Sequence, residues 1–531
     1  MLVDGTFDPN YPNDYILQEI QTGTDYINES GISRYSDMLF YFDSRLNYSR
    51  NFGKHYVTGM LMYMMREYRS DVLPNRNQGL SGRFTYDYDH KYLAEVNFGY
   101  NGTERLEAGK RFELFPAISL GWVVSSEKFW EPIKDYVDHF KLRTSYGLVG
   151  SDETGGSSSP HFLYKYDVDL NGSWDFTSGT INSNSLNYKG PRIRQYPVQD
   201  ACWERSKQFD IGVDFRLFNQ VDFTVDYYNY KRDRILLERG AFPNLMGYEI
   251  AVPWSNIGKV NSQGLELSVN WRKQINKDLS VDLRANYTYT KNEYVYKDEP
   301  AYPYVWQTET GKPLSCTRGY IAEGLFTDWN DVNSHADQSN FGSTVMPGDI
   351  KYRDVNGDGK ISEEDKVVLS SYGNVPRIQY GFGASVMWKN FDFSVFFNGS
   401  AKRTIMLLNG ASGDIYPFVQ TYTHASTNLM QWIADSHWVE GADNTDVEWP
   451  RMGVTEAEIG NNLQPSSYWM KNGNFLRFKS LEIGYKFPYC RVYFSGDNLA
   501  VWSPFKYWDP ELNYNSYPLN RTFNIGVQLN F

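Results

Sequence analysis

The densest set of oxygen donors in the chain is DVNGDGKISEED, from Asp354 to Asp365. A hard cation such as calcium takes several oxygens from one tight loop, with glycine at the sharp bend. Asp354, Asn356 and Asp358 occupy the first three ligand positions of such a loop. Gly359 falls at the bend, the Lys360 carbonyl follows it, and Asp365 closes the set. The spacing predicts a structural Ca2+ loop. The closing residue is aspartate, where a glutamate would reach further for two-oxygen coordination, and no clear helices flank the segment. An Asx and glycine turn with solvated carboxylates would use the same residues. Either arrangement fixes a loop and performs no reaction.

Aromatic residues form the second constellation. The chain has 42 Tyr, 32 Phe and 15 Trp in 531 residues. Trp174, Trp203, Trp306, Trp329, Trp432, Trp438, Trp449 and Trp469 lie in long segments without strand alternation. Flat apolar rings suit stacking on sugar faces, and loops on a rigid scaffold carry function. Trp306, Trp329, Trp432 and Trp438 are therefore the candidate substrate-binding residues. Loop core and partner interface are the competing uses of the same rings. Trp122, Trp271 and Trp388 sit at strand ends and read as an interfacial girdle.

No enzyme is expected and no catalytic residue is assigned. Glu363 and Glu364 are adjacent, whereas glycosidase carboxylates face each other across a cleft. Cys202, Cys316 and Cys490 have no metal spacing, and the seven histidines are scattered. The net charge of -12 argues against a nucleic-acid partner.

The elements that must position these residues are strands. RTFNIGVQLNF, from Arg521 to Phe531, places Phe523, Ile525, Val527, Leu529 and Phe531 on one face. Asn524, Gly526, Gln528 and Asn530 take the other, because successive strand side chains point to opposite sides. Comparable alternation recurs about fifteen times, with short and long connectors in turn, as in transmembrane barrels. Mean hydropathy is -0.56, which such a barrel tolerates because only every second residue is apolar. No run is long and apolar enough for a membrane-spanning helix.

The expected class is all-β, an antiparallel transmembrane β-barrel. Residues 1–37 are polar, turn-rich and unassigned; 38–531 carry the strands. Long loops, expected outside the cell, run over 150–206, 292–377 and 403–473, with another over 238–262. Tight turns fall near 219, 390 and 489. SSEKFWEPIKDYVD, between two strands, reads as a short helix or turn. The opening MLVDGTFDPNYPNDY has neither a basic nor an apolar leader region, so no signal peptide is expected in this chain.

Several segments then carry a resemblance. FPAISLGWVVSSEKFW, LRTSYGLVGSDE, WERSKQFDIGVDFRLF, NIGKVNSQGLELSVNW, GYIAEGLFTD, GDIKYRDVNGDGKISEEDKVVLSSYGNVPRIQYGFG, NFLRFKSLEIGYKFP and VYFSGDNLAVW follow one another from about residue 90. In this order they resemble the C-terminal half of a SusC/RagA-type TonB-dependent outer-membrane transporter. The resemblance implies a barrel of about 22 strands with an N-terminal plug. It implies import of oligosaccharides or peptides across the bacterial outer membrane. The implied partners are a SusD-like surface lipoprotein, the TonB complex through an N-terminal region, and outer-membrane lipid. This chain shows no plug, no TonB box and none of the early strands, so a partial barrel is expected. A truncated gene fragment, or a surface or structural β-protein without transport, is the alternative reading.

Overall fold

The structure is a computed structural model. It describes residues 36–529 apart from 71–73, 154–161, 179–185, 199, 242–252, 409–430, 454–455 and 513–515. Residues 1–35 of the unassigned segment 1–37, and the last two residues of the predicted terminal strand, lie outside the described residues.

Fifteen strands form one antiparallel sheet. They are β1 (Met38–Phe52), β2 (His55–Arg69), β3 (Asn75–Tyr88), β4 (Tyr92–Thr103), β5 (Phe112–Val123), β6 (Val137–Ser151), β7 (Glu204–Leu217) and β8 (Val221–Glu238). Then follow β9 (Trp254–Asn276), β10 (Leu279–Tyr296), β11 (Ile378–Trp388), β12 (Phe391–Ala401), β13 (Phe475–Lys486), β14 (Cys490–Trp502) and β15 (Thr522–Leu529). Each pairs with the next in sequence, and among the described residues β1 and β15 do not pair with each other. The barrel is open.

Alternation decides which face meets what. Phe84 of β3 lies opposite Val96, Val96 opposite Ile118, and Ile118 opposite Tyr146. Directly opposed residues share a face, so this is one continuous apolar row. Its members are 45–49% exposed, although they are large and apolar. On β7 the same face carries Phe209 and Ile211, and on β8 Tyr227. An apolar face this extensive has no stable contact with water and suits lipid. The other face is charged and paired. Arg143 of β6 bonds Asp214 of β7 at 3.0 Å and Asp226 of β8 at 2.6 Å. Arg491 of β14 bonds Asp392 of β12 and Glu482 of β13.

Because neighbours alternate in direction, every second connection lies at the same end of the sheet. The excursions between β6 and β7, β10 and β11, and β12 and β13 therefore share one end. The turns at 218–220, 389–390 and 487–489 share the other. There Asn219 and Lys389 take positive φ, +54° and +52°, as tight hairpins require. Trp122, Trp271 and Trp388 all stand at the short-turn end. Trp388, Phe391, Tyr485 and Phe487 form a run of ring contacts there. SSEKFWEPIKDYVD contains the 3-10 turn Lys128–Ile133 and overlaps another, Val124–Ser126, as its pattern predicts.

The structure differs from expectation in the strand lengths. β9 begins at Trp254, so the loop predicted over 238–262 is shorter. β10 continues to Tyr296, past the predicted start of the next loop at 292. The loop predicted over 150–206 holds its own hairpin, Asp167–Ser178 paired with Leu186–Gln195. No helix among the described residues is long and apolar enough to cross a membrane.

Candidate site at the loop-bearing end

The dry core of this protein lies in its loops. Tyr320, Ile350, Tyr352 and Ile361 come from the excursion after β10. Ile405, Leu407, Leu408, Ile433, Ile459, Trp449 and Trp469 come from the one after β12, and Phe505 from the one after β14. Several polar groups inside this body are paired, although Trp449 Nε1 has no hydrogen-bond partner among the described residues. Arg451 bonds Asp349 at 2.7 Å, and Asn462 donates to Asp349 at 2.8 Å. Burial pushes the Asp349 carboxyl above its usual range, against the opposing pull of Arg451. Asn461 donates to the Ile350 carbonyl at 2.8 Å and its own carbonyl accepts from the Tyr352 hydroxyl at 2.8 Å. Burial drives the Tyr352 phenol far above its ordinary value. Three connections therefore fold as one unit. A smaller core under the excursion after β6 joins Leu106, Phe115, Leu163, Val198 and Trp203.

The Asp354–Asp365 segment is docked on this body by Ile361, which is fully buried. The Ile361 N–H donates to the Asp337 carbonyl at 2.8 Å, and Asp337 N–H donates to the Gly359 carbonyl at 2.9 Å. The segment is flanked by short strands, Ile350–Tyr352 and Val367–Ser370, and contains one 3-10 turn, Glu363–Asp365. Its carboxylates are turned onto the loop itself. Asp354 accepts from Gly357 and Gly359 N–H at 2.7 and 2.8 Å. Asp358 accepts from Lys360 N–H at 2.8 Å, and Asp365 from Val355 and Ser362 N–H, both at 2.8 Å. Asn356 turns its oxygen to Asp358 N–H at 3.0 Å. Gly357 and Gly359, at φ +77° and +82°, give the chain its bend. Among the described residues no group of three or more His, Cys, Asp or Glu side chains is arranged around a common ion position.

The candidate tryptophans go to different places. Trp432 packs on Trp449 and Tyr507, at ring separations of 5.0 and 4.7 Å. Trp438 lies over Gly348, where a Cβ would stand 2.4 Å from the ring. Trp306 stacks on Tyr304 at 4.5 Å and donates to the Glu364 carbonyl at 2.7 Å, beside the Asp354–Asp365 turn. Trp329, which opens the short helix Trp329–Ser334, is 51% exposed.

Below the loop body, the inner wall of β10 to β13 holds a recess of about 400 Å³. Asn286, Gln379, Asn398 and Ser400 contribute from the strands, and Arg403 and Glu511 from the loops. Gly381 makes the wall low: a Cβ there would stand 2.7 Å from Asn286 Oδ1 and 2.9 Å from Phe396 Cζ. Two polar atoms buried in this wall have no hydrogen-bond partner, Asn398 Oδ1 and Ser400 Oγ. Ser400 is only 4% exposed. Buried polar atoms without partners are rare, and in a ligand-sized recess they are groups that a polar ligand can satisfy. Arg403 donates to the Asn374 carbonyl at 2.7 Å. Fully buried Arg477 pins Glu511 at 2.7 Å and Asp509 at 2.6 Å. Two arginines and two carboxylates balance, so the site carries no net charge for an ionic ligand. Sequence reasoning missed these residues. Their only signal is that they take the polar positions of strands whose neighbours are glycines, in YGFGAS and FNGSA.

Comparison with known proteins fits this architecture. The family described as "TonB dependent receptor-like, beta-barrel" matches residues 3–499. TonB-dependent receptor P3 of Formosa agariphila is 26% identical over 489 residues, 85% of this chain and 45% of its own length. TonB-dependent receptor SusC of Bacteroides thetaiotaomicron is 24% identical over 483 residues, 88% of this chain and 45% of its own. The chain thus spans about half the length of the curated relatives it matches. The RagAB peptide transporter shares the fold with a TM-score of 0.68 at 19% identity, over 93% of this chain and 56% of that chain. This chain belongs to the TonB-dependent receptor β-barrel family, whose fold is that of the outer membrane.

Proposed function

We propose that this chain is the barrel portion of a SusC-like transporter that imports oligosaccharides or peptides through the outer membrane. The loop-bearing end faces outside. A SusD-like lipoprotein meets it there, and TonB supplies the energy through a region outside this chain. The reading draws on the relatives named SusC and RagAB. The observation that carries it is the neutral recess at the loop-bearing mouth, with Asn398 Oδ1 and Ser400 Oγ unpartnered. A neutral, amide-lined recess suits hydroxyl and peptide groups, which both donate and accept.

The test is uptake by cells carrying the full gene product, supplied separately with a neutral oligosaccharide pool and a peptide pool. Gene-dependent, energy-dependent uptake of one pool is expected. Asn398→Ala with Ser400→Ala removes two hydrogen bonds to substrate, each about 1 kcal/mol, and weakens apparent affinity about tenfold or more. Uptake of both pools that persists unchanged without the gene would refute transport.

A further inference from the structure

The outer face of β7 to β10 carries a polar patch that import does not use. On β7 the outward residues Leu217, Phe215, Val213, Ile211 and Phe209 are apolar, and the next in the same parity is Lys207. From Leu217 to Phe209 the strand climbs about 20 Å, at about 3.3 Å per residue and a tilt near 40°. The apolar band of a barrel is about 25 Å tall, so Lys207 stands at its upper edge, on the loop-bearing side.

Lys207 lies directly opposite Lys231 of β8. Two like charges facing each other across a strand pair destabilise it. One carboxylate, Asp233, serves both Lys207 at 2.6 Å and Arg205 at 3.3 Å. Lys231 has no carboxylate partner among the described residues. Beside it, Asn261 is its cross-strand neighbour on β9, and Asn229 donates to Asn261 at 3.3 Å and to Gln263 at 3.4 Å. Lys291 of β10 faces Gln263 and pairs with Glu293 at 3.8 Å. Lysines and side-chain amides thus crown a greasy wall in a chain whose net charge is -12.

We propose that this patch binds the phosphorylated sugar headgroup of a glycolipid in the outer leaflet. A phosphate between Lys207 and Lys231 removes the like-charge repulsion. Asn229, Asn261 and Gln263 meet sugar hydroxyls, and the acyl chains continue down the apolar face. A free anion would satisfy the lysines and leave the adjoining amides and apolar wall without a role.

Native mass spectrometry of the detergent-solubilised full gene product tests this, with monophosphoryl lipid A and its dephosphorylated form as probes. Each lysine near an anionic surface is worth about 1 kcal/mol, or about fivefold. Lys231→Ala is expected to lower retention of monophosphoryl lipid A about fivefold, and Lys207→Ala with Lys231→Ala further. Loss of the phosphate from the lipid should act like the double variant, and Lys389→Ala, at the other end, should change nothing. Lys231→Ala removes a like charge, so heat-modifiable migration of the folded barrel should persist even where the double variant assembles poorly. Equal retention of the two lipids, or of wild type and Lys231→Ala, overturns the proposal. Displacement of the lipid by millimolar inorganic phosphate overturns it in favour of a free-anion site.

Discussion

At the scale of single residues, the two faces of a strand differ most sharply at neighbours. Val213 lies on the exposed apolar face in the middle of β7, and Asp214 beside it points to Arg143 on the inner face. An arginine on the lipid face near the bilayer centre costs about 2–4 kcal/mol. Val213→Arg is therefore expected to cut the yield of heat-modifiable, membrane-assembled protein. Asp214→Asn leaves Arg143 its 2.6 Å contact with Asp226 and should assemble nearly as wild type. Equal losses would contradict the assignment of faces. The Asp354–Asp365 segment calls for a different measurement. Its spacing proposes a calcium loop, while its carboxylates accept hydrogen bonds from its own amides. Calcium titration calorimetry of the full gene product is expected to give a saturable heat that Asp354→Ala abolishes. A flat titration would make the segment a turn closed by its own backbone. The motif's spacing was legible in the sequence. The hydrogen bonds that turn each carboxylate inward were not, because they depend on the local φ and ψ of Gly357 and Gly359.

At the scale of elements, legibility followed the membrane. Where a strand crosses lipid, one face must be apolar and the other need not be, so the period of two stands out in the sequence. That made β7, β8, β11, β12 and β15 readable. Above the apolar band both faces are wet, and the alternation fades. The start of β9, WSNIGKVNSQ, therefore reads as loop although its ladder to β8 begins at Trp254. The hairpin within the excursion after β6 escapes for the same reason. The tryptophans show a second limit. Composition marks them as loop aromatics, but only packing separates fully buried Trp449 and Trp469 from half-exposed Trp329. The buried pair inside the loop body gives a prediction at this scale. Arg451→Met leaves Asp349 buried without its cation, which costs about 3–5 kcal/mol. Limited proteolysis should then nick the excursions after β10 and β12, while heat-modifiable migration of the strands is retained. Restored resistance in Asp349→Leu with Arg451→Met would show that the unpaired charge, and not lost volume, loosens the body. Sensitivity equal to wild type in Arg451→Met would mean that the three connections do not fold as one unit.

At the scale of the whole molecule, the sheet has two free edges. β1 is 15 residues long and exposed along nearly its whole length, with Leu46 at 70%. β15 carries Ile525 at 82%. The strand number was legible because each crossing repeats the same pattern. The open edges followed from an odd count set against barrels of about 22 strands. An unprotected edge offers a full row of backbone donors and acceptors to any strand that arrives. β1 has no proline, and two of its three charges, Asp43 and Arg45, already pair with each other at 2.9 Å. Its outward residues, Phe40, Phe42, Leu46 and Tyr48, would extend the lipid face of whatever sheet joins it. Refolded alone into detergent, residues 1–531 are therefore expected to associate through β1 and elute as oligomers in light-scattering chromatography. Phe52 and His55 flank a two-residue turn as a bonded pair, so the N–H groups of Asn47 and Ser49 face the free side. Asn47→Pro with Ser49→Pro removes two backbone donors from the edge and should shift the population toward monomer. A monodisperse monomer of the unmodified chain, with full protection of β1 amides from hydrogen exchange, would mean that β1 finds its partner within the chain.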